Sequence, residues 1–414
     1  SSLSYVHHVF SSQYDASAVL REGRGQVFSS NEEDVGVYSE AARTEMLVED
    51  LVLRSSGVGR FDWLVGVYAA RTMERSPSNL GILSAGPVVF TAYDERRKDR
   101  FNDLALYGEA SYDLLGGWVA TVGGRLSHTR VHTTADIMVV APYGARFFDA
   151  ARTFRAFSPK LSLQREFANG DLLYALISEG DRPGGFNSSG FFGIKDKRTT
   201  FRPDRLRNYE VGVKVRRLQG RFGLRAAAYY DDWANIQTDQ YRPSGLAYTA
   251  NVADARIVGL EAEMSYAFLG GLTVQVNGLV SDSDVRNQNP DFASQITGAL
   301  PGVPKASGGV VAIYERPLPN DLVLRLAGEA SYVGRETLSF DASLPLQMGH
   351  YLRARLSAEV ASAHWRLSAY VTNPLDDAGD TFAYGNPFSF SIGKVRQVTP
   401  QRPRTVGMRL AAAF

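Results

Sequence analysis

The side chains that could carry out chemistry are few in this chain and widely scattered. The six histidines include one adjacent pair, His7 and His8, which could contact a metal ion or a haem group. Because neighbouring residues of a strand point to opposite faces, the two imidazoles cannot easily serve one ion, and we favour histidines at an interface. The sequence holds no metalloprotease, nucleophile-elbow or phosphate-loop motif. It therefore predicts a protein that is not an enzyme.

Three carboxylates near the end of the chain form a second candidate metal site. Asp376, Asp377 and Asp380 could bind Ca²⁺, because carboxylate oxygens suit that ion. A solvated loop is the favoured alternative for such a cluster. The chain has no cysteine, which excludes disulfides and thiolate chemistry. We accordingly predict neither a metal site nor a resident cofactor.

A ladder of charged residues alternates with apolar residues in three consecutive segments. Its members are Arg325, Glu329, Arg353, Arg355, Glu359 and Arg366. Charges cannot face lipid cheaply, so in a membrane wall this face would line the lumen. We favour cross-strand ion pairs that brace the wall. The alternative is a surface that guides an anionic ligand.

The segment of residues 181–204 combines aromatic, amide and cationic side chains. The candidate ligand-binding residues in it are Arg182, Phe186, Asn187, Phe191, Phe192 and Lys195, with Lys197 beside them. Exposed aromatic rings can hold a planar or apolar ligand, and the cations can hold its acidic groups. The loop could equally pack its aromatic rings against neighbouring loops, and both interpretations stay open.

The elements that would position these residues are strands with one apolar and one polar face. In residues 322–332, Leu322, Leu324 and Leu326 alternate with Val323 and Arg325. About sixteen such segments follow one another, and several exceed the ~9–11 residues that a tilted strand needs to cross a bilayer. Although 44% of the residues are hydrophobic, no apolar run is long enough for a membrane helix. The net charge of +1 predicts no nucleic-acid partner.

Connections between these segments alternate between short and long. Gly116-Gly117 and Asn169-Gly170 predict tight turns. The long connections predicted include residues 12–41, 76–99, 134–151 and 181–204. This parity predicts an all-β, antiparallel transmembrane β-barrel, with short turns in the periplasm and long loops outside. A β-sandwich or propeller is disfavoured because its strands are shorter.

Six short stretches resemble one known family. They are residues 157–160, 182–187, 208–214 (NYEVGVK), 251–261, 370–377 and the terminal strand 404–414. In this order they resemble TonB-dependent receptors, with Pro374 as a departure in the fifth stretch. The barrel of that family has 22 strands and is filled by an N-terminal plug. The resemblance implies that residues 1–414 are the last sixteen strands of such a barrel, without the plug and the first six strands.

The resemblance also implies a function. It predicts a receptor in the outer membrane of a Gram-negative bacterium that takes up a ferric siderophore or a similar large nutrient. Its partners would be outer-membrane lipid, a small ligand such as a ferric chelate, and the TonB energy-transducing complex, reached through a plug outside this chain. A passive porin-like channel is the alternative, because sixteen strands without a plug leave an aqueous pore. The absent strands could be supplied separately, belong to a longer polypeptide, or be unnecessary if sixteen strands close on themselves.

Overall fold

The chain forms a large antiparallel sheet of sixteen strands, which we call the wall strands. Each wall strand pairs with the wall strand that follows it in the sequence. The computed structural model of the protein describes residues 1–22, 33–57, 59–83, 89–140, 144–188, 198–241, 246–292, 298–338, 340, 347–382 and 398–412. Within these ranges no helix has the length and apolar character needed to cross a membrane. The all-β, antiparallel fold predicted from the sequence, with about sixteen strands, is confirmed.

Within the described residues, the strands and a single α-helix have the following bounds: β1 Ser2–Asp15, α1 Ser17–Glu22, β2 Val35–Arg54, β3 Phe61–Leu83, β4 Val89–Asp113, β5 Trp118–Val139, β6 Gly144–Glu166, β7 Leu172–Arg182, β8 Gly185–Phe186, β9 Thr200–Phe201, β10 Asp204–Arg217, β11 Phe222–Ala234, β12 Gln237–Tyr241, β13 Ala247–Asn251, β14 Asp254–Ala267, β15 Leu272–Arg286, β16 Ala306–Leu318, β17 Leu322–Val333, β18 Glu336–Thr337, β19 Gln347–Met348, β20 Tyr351–Ala361, β21 Trp365–Thr372, β22 Asp380–Phe382, β23 Thr399–Pro400 and β24 Thr405–Ala412. Four two-stranded ribbons, β8–β9, β12–β13, β18–β19 and β22–β23, extend from the long connections.

The sheet has one apolar and one polar face, because side chains alternate along each strand. Leu326 and Leu356 are 41% and 51% exposed on the apolar face. Arg325 lies directly opposite Glu359 on the neighbouring strand, so both belong to the polar face. A soluble protein would not expose an apolar face of this extent, whereas a membrane wall requires one.

Tight turns join the wall strands at one end of the sheet, which we call the short-turn end. Gly170 has a φ of 82°, and its amide donates to the carbonyl of Phe167 at 2.8 Å. Gly116 and Gly117 have φ values of 76° and 78°, a region that side chains disfavour. The turns predicted at these glycines are confirmed. The opposite end, which carries the longer connections, is the long-loop end.

Several predicted loops are wrong, because the strands continue far into them. The connection predicted at residues 76–99 is mostly strand: β3 runs to Leu83, β4 begins at Val89, and Ser76 pairs with Arg97. The segment 134–151 likewise belongs largely to β5 and β6. Apolar alternation is lost there because both faces carry polar residues, yet backbone hydrogen bonding between the strands continues. Residues 12–41 contain the end of β1, α1 and the start of β2.

Tyrosine rings lie across glycines on the polar face. A Cβ at Gly66 would lie 2.3 Å from Cζ of Tyr107, so only glycine permits this approach. The Tyr107 hydroxyl then reaches across to donate to Asp50 at 2.7 Å. Tyr174 covers Gly212 in the same way. These contacts fix side chains on the polar face against the backbone of the next strand.

The first and last strands of the sheet each have one neighbour. Among the described residues β1 pairs with β2 and β24 pairs with β21, and no pairing joins β1 to β24. In the part of the chain that the structure describes, the sixteen strands therefore do not close on themselves. An unpaired strand edge is costly inside a bilayer, because its backbone N–H and C=O groups find no water there.

Candidate functional site

The long-loop end is a packed layer. One apolar cluster joins α1 to the extended strands through the buried side chains of Leu20, Leu80 and Tyr93. A second cluster lies under the β12–β13 ribbon and contains Ile236 and Val252. Burial of apolar side chains in connecting segments holds those segments in a defined arrangement. This end therefore offers a formed surface on which a ligand could bind.

The connection between β7 and β10, residues 183–203, is anchored where it leaves the sheet. Arg182 makes a bidentate ion pair with Asp204, whose side chain is almost completely buried. Trp233 donates its indole N–H to the same carboxylate at 3.0 Å, and the guanidinium lies 5.6 Å from its ring centroid. The hydrogen bonds to Asp204 raise the pKa of Arg182. The predicted ligand residue Arg182 thus has an internal partner and fixes the base of the loop.

Phe186 and Asn187 are buried inside this loop. Phe186 is 5% exposed and packs edge-to-face on Phe148, with 6.1 Å between the ring centroids. The Asn187 amide donates to the carbonyls of Arg198 and Thr249 at 2.9 and 2.8 Å, and its oxygen accepts the Thr249 amide. Both side chains therefore hold this part of the loop in place. Whether they also contact a ligand stays a prediction.

A buried polar cluster holds the loop against β4. We call Glu95, Arg97, Asp99, Thr133 and Ser188 the inner polar cluster. Arg97 donates to both oxygens of Asp99 at 2.6 and 3.0 Å. Thr133 donates to Asp99, and Ser188 donates to Glu95, each at 2.5 Å. Glu95 and Asp99 are only 3% and 4% exposed, yet the carboxylate of each accepts strong donors.

Arg97 connects this cluster to the loop backbone. It donates to the carbonyl of Phe186 at 3.0 Å and to the Ser188 hydroxyl at 3.3 Å. Burial lowers the pKa of Arg97, but the hydrogen bonds and charge of Asp99 outweigh that effect and leave the pKa raised. Arg97 is therefore a permanent cation between two carboxylates, and it binds the loop through charge-assisted hydrogen bonds.

The inner polar cluster was missed in the sequence. Residues 94–100, DERRKDR, form a charged run that suggests a solvated loop. Its strand parity, with Glu95, Arg97 and Asp99 on one face, was the available signal. That signal was insufficient because the cluster also needs Ser188 from a distant connection.

Four of the predicted residues, Phe191, Phe192, Lys195 and Lys197, lie outside the described residues. The returning part of the connection is described from Arg198. Arg198 lies 5.5 Å from the Tyr248 ring centroid and 5.4 Å from that of Phe292. The described parts of the connection thus contact the inner polar cluster at Ser188 and the β12–β13 ribbon at Arg198.

The predicted ladder lies together on the polar face of β17, β20 and β21. Its register places Glu329 opposite Arg355, and Arg325 opposite Glu359. Arg325 contacts Glu315 at 3.4 Å. The ladder continues with Arg366, which contacts Glu359 at 3.2 Å, and with Arg353, which lies over the ring of Tyr351. These pairs agree with the bracing interpretation, while the assignment of this face to a lumen stays a prediction.

The other metal candidates are the histidine pair and the carboxylates near the end of the chain. His7 lies opposite Glu45 and His8 opposite Thr44, so the two rings lie on opposite faces of the sheet. Asp377 accepts the Leu352 and Gly379 amides, as expected for a loop carboxylate. Within the described part of the chain, no three His, Cys, Asp or Glu residues are placed to hold a metal ion.

Comparison with known proteins gives the family. The family model described as TonB dependent receptor-like, beta-barrel matches residues 3–373. The pesticin receptor of Yersinia enterocolitica is 24% identical over 374 residues, which are 89% of this chain and 51% of the relative. The metal-pseudopaline receptor CntO of Pseudomonas aeruginosa is 26% identical over 230 residues, 54% of this chain and 29% of that protein.

A solved structure supports the same fold. The ferric yersiniabactin uptake receptor FyuA from Yersinia pestis superposes with a TM-score of 0.75 at 20% identity, covering 99% of this chain and 59% of that one. The sheet is thus part of the wall of a β-barrel. The chain belongs to the TonB-dependent receptor family, whose β-barrel region it matches. It spans about half the length or less of the curated relatives that it matches.

Proposed function

We propose that this chain is the barrel of an outer-membrane, TonB-dependent receptor that takes up a ferric siderophore or a similar metal chelate. The matched relatives include receptors whose names specify pesticin, metal-pseudopaline and ferric yersiniabactin. The observation that carries the proposal is the loop between β7 and β10, which Arg97 and Glu95 hold on the polar face at the long-loop end. A fixed loop at the mouth of a barrel provides a preorganised binding surface.

The proposal assigns the chain a role as wall and binding rim. We propose that residues 1–414 form one transmembrane barrel domain, and that the plug which reaches the TonB complex lies outside them. In this arrangement the long-loop end faces outside and captures the ligand. Phe191, Phe192 and Lys195 would contact it, because they occupy the segment between the two anchored parts of the loop. The chain itself would carry out no covalent chemistry.

Ligand binding by the loop tests the proposal directly. Growth on a panel of ferric chelates under iron limitation, with and without an intact TonB complex, first identifies the ligand. The double substitution Phe191→Ala/Phe192→Ala should then weaken binding of that chelate, measured by titration, without changing the heat-modifiable mobility of the folded barrel. The matched control is Phe147→Ala, which removes an exposed phenylalanine on the other face of the sheet and should leave chelate binding unchanged.

The competing hypothesis is a passive porin-like channel. Conductance of the purified receptor in a planar bilayer separates the two functions. A steady, ligand-independent conductance together with growth that does not need the TonB complex would overturn the receptor proposal. Unchanged chelate affinity in the double substitution would overturn only the role of the loop.

A further inference from the structure

The apolar face of the sheet changes character abruptly on β3 to β6. Toward the short-turn end it carries exposed apolar side chains, and Leu104 and Leu126 are each 56% exposed. Four residues beyond these leucines toward the long-loop end, about 14 Å along each strand, the same face carries Arg100 and Arg130. Arg71 on β3 lies on this face as well.

These cations form a contiguous group, which we call the outer cation patch: Arg71, Lys98, Arg100, Arg130 and Arg155. Arg71 and Arg130 lie on either side of Asn102, on the two strands that flank it. Arg155 lies opposite His128, next to the last apolar row. Neighbouring strands are about 4.8 Å apart, so the cations are spaced by roughly 7–10 Å over four strands.

The patch has no internal counter-ions. Among the described residues none of its five side chains makes an ion pair or a hydrogen bond, and Nε of Arg100 is buried without a partner. Two of the carboxylates nearby are already engaged: Glu45 lies within 4 Å of Arg43 and Arg75, and Asp149 contacts His132. Cations held beside an apolar surface without counter-ions favour an external anion.

On β7 to β15 the same face of the sheet also carries cations, but these cations have ion-pair partners. There Glu179 lies between Arg205 and Arg207, at 3.0 and 2.6 Å. Arg256 pairs with Asp284 at 3.5 Å. These cations occupy the corresponding row, just beyond the exposed apolar side chains, but each of them already contacts a carboxylate of the sheet. The outer cation patch is therefore a local feature of β3 to β6.

We propose that the outer cation patch binds the phosphorylated headgroup of a glycolipid whose acyl chains lie on the adjoining apolar face. Continuity with that face selects a lipid over a soluble anion. The spacing of the cations exceeds the size of one phosphate and suits a headgroup with more than one. The inference rests on the proposed outer-membrane location, with the long-loop end facing the lipopolysaccharide leaflet.

Lipid titration tests this inference on the receptor as expressed from its own gene, purified in dodecyl maltoside. The probes are bisphosphorylated lipid A, phosphatidylcholine and inorganic phosphate, with bound lipid counted by native mass spectrometry. The test variant is Arg71→Gln/Arg130→Gln/Arg155→Gln. The control, Arg205→Gln/Arg207→Gln/Arg256→Gln, removes the same formal charge from arginines that contact carboxylates.

The patch variant should bind lipid A roughly tenfold more weakly or worse, and the control within about twofold of the parent, because each unpaired cation contributes separately. Added salt should weaken binding by the parent. Equal losses in both variants, lipid A binding no tighter than phosphatidylcholine, or inorganic phosphate binding that depends on the same arginines would overturn the inference. If the triple variant loses heat-modifiable mobility, Arg130→Gln alone should still show a twofold or greater loss.

The test is separable from that of the proposed function. Chelate binding by the patch variant should equal that of the parent, since the patch lies on the opposite face of the sheet from the inner polar cluster. If no chelate binds the parent, the receptor proposal is wrong. The lipid titration would still test whether the outer cation patch binds lipid A.

Discussion

Arg97 on β4 donates a hydrogen bond to the backbone carbonyl of Phe186, 89 residues further along the chain, at 3.0 Å. Because a charged donor on a wall strand holds a loop carbonyl, the position of the loop depends on the wall. The same guanidinium pairs with the buried Asp99. Wall and loop therefore share one electrostatic unit at the long-loop end.

Removing that cation should release the loop. In Arg97→Met, we expect amide protection in residues 185–188 to fall roughly tenfold to a hundredfold, because each hydrogen bond to a charged group contributes about 1.5–3 kcal/mol. Hydrogen exchange followed by mass spectrometry measures this. Arg96→Met is the matched control, since Arg96 is exposed on the other face and, of the residues that the structure describes, forms an ion pair only with Asp94. Unchanged protection in Arg97→Met would show that apolar packing of Phe186 alone holds the loop.

The two faces of β17 should respond oppositely to charge. Leu326→Arg places a cation on the apolar face and should destabilise the barrel by about 2–4 kcal/mol if that position lies near the bilayer midplane. Arg325→Leu should cost less, because its ion pair with Glu315 is half-exposed and such pairs contribute about 0–1 kcal/mol. Reversible unfolding from micelles gives both values, and equal costs would contradict the assignment of the faces.

The orientation of the sheet follows from the parity of its connections. An epitope inserted between Phe191 and Phe192 should be labelled by antibody on intact cells, whereas one inserted at Asn169-Gly170 should be labelled only after the outer membrane is opened. Insertions are tolerated best at exposed turns and loops, so both proteins should assemble. Labelling of intact cells at the turn but not at the loop would reverse the topology.

One ion pair at the short-turn end should be sensitive to acid. The hydrogen bonds from Arg217 hold the pKa of Asp171 below its ordinary value. Because the folded pKa is lowered, the stabilisation is complete above the ordinary pKa of about 3.9 and is lost as the pH falls through the folded pKa. Arg217→Gln should raise the pKa of Asp171 toward the ordinary value, measured by NMR titration of its carboxylate.

The matched control for this titration is Arg216→Gln. Arg216 contacts Asp171 only through its backbone amide, at 3.4 Å, so loss of its side chain should leave the hydrogen bonds from Arg217 intact. A pKa that moves equally in the two variants would attribute the shift to general positive charge at this end.

The amino-acid sequence by itself determined the wall. Alternation between Leu326 and Arg325 assigns each to a face, because side chains in a strand repeat every two residues and this rule needs no knowledge of distant residues. Glycines such as Gly170 marked the tight turns for the equally local reason that their backbone requires a positive φ. The number of strands, their antiparallel order and the polar face of the ladder followed from these local rules.

Only the tertiary structure decided the long-loop end. Toward the long-loop end, β3 and β4 keep their backbone pairing, but polar side chains occur on both faces of the sheet. The alternation of apolar and polar residues therefore no longer indicates a strand there. Phe186 and Asn187 looked available to a ligand but are buried, because Arg97, Phe148 and Thr249 arrive from distant parts of the chain. Such contacts depend on strand register and on how loops fold back, and neither is written in the local pattern of residues.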